Sequence, residues 1–79
     1  MTTYAQADVE DLTRQVLAAE GCMNIPADTI SDAVDIYLSR IERLTGDPLD
    51  RDAIDPDAAA QAVEDAAACI RARETVNHS

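Results

Sequence analysis

At 79 residues the chain is one domain near the lower limit for a self-sufficient core, and with no Phe, no Trp and fifteen alanines that core is thin. Sixteen acids against six arginines, with no lysine, give a net charge of −10, which argues against direct binding to nucleic acid or to an anionic membrane, since both require a basic surface. The partners left are a protein with a basic surface, a metal cation, or a second copy supplying missing burial, as in a homodimer.

A first helix is expected over about residues 3–20, capped by Thr2 or Thr3 and stopped by Gly21. Ala5, Val9, Leu12, Val16 and Ala19 follow steps of four and three into one stripe, which Leu17 widens. Glu10 stands four before Arg14, the favourable order for an ion pair. In the connection after Gly21, Met23 and Ile25 are expected to plug one end of the bundle, with Pro26 biasing Ile25 away from helix.

The second helix, about 27–45, carries the strongest pattern. At about 100° per residue, Ile30, Ala33, Val34, Tyr37, Leu38, Ile41 and Leu44 share one arc, and Asp28, Asp32, Asp35, Ser39 and Glu42 share the opposite one. Asp28 or Thr29 can cap the helix, and early acids suit the positive end of its dipole. That accounts for Asp28 and Asp32 but not for Asp35 or Glu42, which lie past the first turn. None of the three aspartates has an Arg three or four residues away, so their like-charge spacing weakens the helix by a few tenths of a kcal/mol per pair. Ile36, bracketed on the wheel by Arg40 and Arg43, reads either as loosely covered core or as a contact for another chain.

Gly46 ends this helix, and Asp47-Pro48 has the form of a cap followed by proline in the first helical position. A short helical turn at about 48–53 is therefore expected, burying Leu49 and Ile54. Asp55-Pro56 repeats the signal and opens a last helix over about 56–74, whose inner face is Ala59, Val63, Ala66 and Ile70, flanked by Ala62 and Cys69. Residues 75–79 should fray. The expected fold is all-α: one domain, a small three-helix bundle in up-down-up order with a short extra helical turn before the last helix.

Catalysis finds no support in the residues. The one histidine, His78, is in the tail, so no His-based triad or general base is available. Asp47, Asp50, Asp52, Asp55 and Asp57 invite a calcium site, but no frame supplies the acid, glycine and terminal glutamate positions of an EF-hand loop. Neither a metal nor a cofactor is expected. Cys22 and Cys69 show no CxxC or Cys/His spacing and no signal-peptide pattern precedes them, so free thiols in a reducing cytoplasm are expected.

Acyl and peptidyl carrier proteins are also acidic helical domains of this size, with a prosthetic-group serine in an Asp-Ser-Leu type motif. Ile30-Ser31-Asp32 and Leu38-Ser39-Arg40 depart from it on both sides of the serine. In its size, its charge and the acidic ridge of Asp28, Asp32, Asp35 and Glu42, continued by Asp47, Asp50 and Asp52, the chain resembles the small acidic inhibitors that phages make against host nucleases, among them anti-CRISPR proteins. The resemblance implies a non-catalytic inhibitor occupying a basic groove of a nucleic-acid-handling protein, such as a CRISPR surveillance complex, in the host cytoplasm. Carboxylates one helical turn apart are about 5–6 Å from each other against about 3.4 Å between phosphates of one DNA strand, so the ridge is a coarse negative rod rather than a replica. Those seven acids and Ile36 are the expected partner-binding residues. The rival reading is a structural or regulatory oligomerisation module, or a small subunit, whose acidity serves solubility; a GC-rich genome or a high-salt habitat produces the same composition.

Overall fold

The computed structural model describes residues 2–77, which form three α-helices: α1 (Gln6–Ala19), α2 (Ala27–Thr45) and α3 (Pro56–Asn77). Each helix packs on the other two, in a body of 39 × 22 × 18 Å. The small three-helix bundle expected from the periodicity is what forms.

Helix ends follow the local chemistry, with instructive departures. At the end of α1 the Gly21 N–H bonds the Ala18 carbonyl at 3.1 Å and the Cys22 N–H bonds that of Leu17 at 2.8 Å, a Schellman motif closed by Gly21 at φ +87°. Gly46 (φ +79°) ends α2 through a 2.8 Å bond from its N–H to the Glu42 carbonyl. The start of α1 is corrected: neither Thr2 nor Thr3 caps it. Tyr4 instead pairs antiparallel with Ile54, exchanging bonds of 2.9 and 2.7 Å, and this extended pairing delays the helix to Gln6. The Asp8 carboxylate then accepts from the Ala5 N–H at 3.1 Å. Neither Asp28 nor Thr29 caps α2, because the helix already begins behind Pro26.

The segment between α2 and α3 makes one turn, closed by a 3.1 Å bond from the Ala53 N–H to the Asp50 carbonyl, later than a start at Pro48 would place it. The Tyr4 pairing takes the backbone of Ile54 and draws it extended, and Ile54 becomes fully buried while Leu49 is half-covered. Asp55 and Pro56 do open α3, with the Ala59 N–H on the Asp55 carbonyl at 2.8 Å. Helix α3 runs on to Asn77, past the expected end near Glu74.

Val9, Leu17, Ile30, Val34, Leu38, Ile54 and Ile70 fill the core, with Ala59, Ala62, Ala66 and Ala67 giving α3 a face that lets its backbone approach α1 and α2. In α1 the buried line is Val9, Thr13 and Leu17, and Val16 is left on its exposed edge. Thr13 tolerates burial because its hydroxyl donates to the Val9 carbonyl at 2.8 Å. Met23 and Leu44 are corrected too, at 69% and 77% exposed. Asn24, at φ +65°, turns the chain between Met23 and Ile25, so only Ile25 reaches the core; Leu44, in the last turn of α2, stands at the rim of an open groove between α2 and α3 and is left uncovered.

Candidate partner interface

The acidic arc of α2 does not stand free. Arg51, in the turn before α3, lays its guanidinium against it: Nη1 is 3.2 Å from Asp35 Oδ1, and Nη2 is 3.4 Å from Glu42 Oε1 and donates to Ser39 Oγ at 3.1 Å. Nη1 is buried without a well-angled hydrogen bond, so its N–H is compensated there by charge alone. The backbone of the same residue is engaged as well, its carbonyl accepting from the Gln6 N–H at 2.8 Å. One residue thus ties the start of α1, the turn and α2 together. The ridge expected to be unneutralised is corrected accordingly: two of its four α2 carboxylates face an arginine of their own molecule.

The expected site residues divide into two groups. Asp35 and Glu42 meet Arg51, and Asp50 and Asp52 are its exposed chain neighbours. Asp50 Oδ1 accepts from the Asp52 N–H at 2.9 Å, a side-chain turn that holds this pair. Asp47 is exposed at the corner after Gly46, its N–H on Thr45 Oγ1 at 3.4 Å. Asp28, Asp32 and Ile36 of α2 are all exposed and do not meet Arg51, and among the described residues neither aspartate makes an ion pair. Arg51 was invisible to helical-spacing rules because its partners are far along the chain; the available signal was a lone base inside a run of five aspartates.

Elsewhere Arg71 of α3 pairs with Glu20 at the end of α1. Glu10 does not pair with Arg14; its carboxylate accepts from the Ser31 hydroxyl at 3.4 Å. Both serines weighed against the carrier motif are therefore half-buried and engaged, Ser31 with Glu10 and Ser39 with Arg51. Comparison with known protein families, curated proteins and solved structures finds no match to this chain.

Among the described residues no group of three or more His, Cys, Asp or Glu is arranged to hold a metal ion, and no helix is long and apolar enough to cross a membrane. His78 lies outside the described residues. Both cysteines are free and half-buried. The Tyr37 pKa is raised above the usual value by its hydrogen-bonding interaction with Cys69, then by burial, then by the charges of Cys69 and Asp65, with Arg40 opposing. Tyr37, Arg40, Ile41 and Leu44 with Gln61 and Asp65 border an open groove of about 360 Å³ between α2 and α3. A second, about 330 Å³, has an apolar floor of Leu17, Ile25 and Ile30 beside Arg14.

Proposed function

We propose that this chain is a non-catalytic acidic binding protein that inhibits a nucleic-acid-handling protein or complex by occupying its basic surface, in the manner of anti-CRISPR proteins. The observation that supports this is the acid excess at Arg51, whose guanidinium pairs with Asp35 and Glu42 while its chain neighbours Asp50 and Asp52 stand exposed on either side of it in sequence. A single arginine cannot cancel four acids. It holds two of them in position, which lowers the ordering cost when a cationic surface arrives. Asp47 extends the same acidic edge. Such a surface steers association and selects the partner more than it supplies affinity.

Capture from a lysate of the native host, treated with nuclease to remove bridging DNA and RNA, is expected to return a nucleic-acid-handling protein with the wild-type chain. Asp50→Arg/Asp52→Arg should lose it at unchanged helical content. Capture of no such protein, or capture undiminished by the reversal, contradicts the proposal.

A further inference from the structure

The exposed residues of α2 carry charges of both signs in a fixed order. Asp28 and Asp32 lie toward its N-terminal end, Arg40 and Arg43 toward its C-terminal end, and Ile36, 58% exposed, stands between them. All four charged side chains are exposed, and among the described residues none of them makes an ion pair. Asp32, Ile36, Arg40 and Arg43 follow steps of four, four and three, so they form one stripe.

We propose that this stripe is a self-complementary docking face on which a second copy of the chain packs its own α2 antiparallel, with the two-fold axis at Ile36. A two-fold contact requires that whatever residue i meets on the partner meets i in return. Antiparallel pairing about position 36 sets Ile36 against Ile36 and Asp32 against Arg40 of the other copy, twice. At about 1.5 Å of rise per residue, both members of that pair lie about 6 Å from the axis, so their registers agree. Arg43, about 10.5 Å out, meets the first turn of the other helix near Asp28, about 12 Å out. Parallel docking would instead set acid on acid and base on base.

Charge complementarity selects a second copy over another occupant. The stripe is its own reversed complement, whereas a uniformly basic partner would meet Arg40 and Arg43 and a uniformly acidic one Asp28 and Asp32. Each copy also carries −10 overall, and this long-range repulsion is damped beyond a Debye length of about 8 Å at physiological salt, while charges in contact are screened much less. With one isoleucine pair at its centre the face makes a weak, concentration-dependent dimer. None of its charged side chains pairs with Arg51, and its fate is independent of the function proposed above.

Sedimentation of the full chain over a concentration series at physiological salt tests this. The mass should rise toward twice the monomer, and Ile36→Asp, Asp32→Arg and Arg40→Asp should each weaken the dimer by at least about tenfold, the effect of turning attraction into repulsion or burying a charge at the contact. The double variant Asp32→Arg/Arg40→Asp restores complementarity and should recover the dimer to within about threefold of wild type. A monomer up to about 1 mM, single reversals without effect, or a double variant no better than the singles would each overturn the proposal.

Discussion

Arg51 has several structural duties, and its removal should be felt as stability. Its guanidinium meets Asp35, Glu42 and Ser39, of which Asp35 is mostly exposed, so each ion pair contributes only a few tenths of a kcal/mol. The hydrogen bond and the part-buried stem add to this, and Arg51→Ala should cost about 1–2 kcal/mol in total. Thermal unfolding would register that as a fall of roughly 4–8 °C per kcal/mol for a domain of this size. Arg51→Met, which keeps the stem, should recover part of the loss, and a midpoint unchanged in Arg51→Ala would show the tie to be idle. Tyr37 gives a prediction in pH. Because its folded pKa lies above the unfolded value of about 10, its contribution to stability is complete below pH 10 and is lost as pH rises from the unfolded toward the folded pKa. In a Tyr4→Phe background, phenolate absorbance should titrate above pH 10 in the folded chain and shift down on denaturation; coincident midpoints would contradict this.

The elements show which signals are local and which are not. Gly21 and Gly46 were legible as stops because a left-handed residue after a periodic stretch is a property of the chain at that point. A Cβ at Gly21 would meet nothing within 4 Å, so Gly21→Ala should cost only the backbone term, about 1 kcal/mol, and Gly21→Asn less. Equal unfolding midpoints for glycine and alanine would remove the Schellman motif from the account. The small-residue face of α3 was equally legible from its spacing. The start of α1 was not, since Tyr4 is held extended by Ile54, 50 residues further along the chain. Thr13 escaped because its burial depends on a hydroxyl bond within the helix, and Leu44 misled because periodicity states which way a residue points but not where the cover ends.

For the whole molecule, one decision separates a functional acidic surface from an acidic composition. The helix-two pattern was readable in the sequence, but how its charge divides was not: Arg51 claims Asp35 and Glu42, while Asp28 and Asp32 join the two-signed stripe with Arg40 and Arg43. What remains for a basic partner is the acid excess around Arg51. The decisive measurement is the dissociation constant of the captured partner across a salt series, for the wild-type chain and for Asp50→Arg/Asp52→Arg. The predicted result is a steep loss of wild-type affinity with salt and a variant at least about tenfold weaker at low salt, the two curves converging as screening shortens the reach of charge. Equal affinities at every salt concentration would contradict the account.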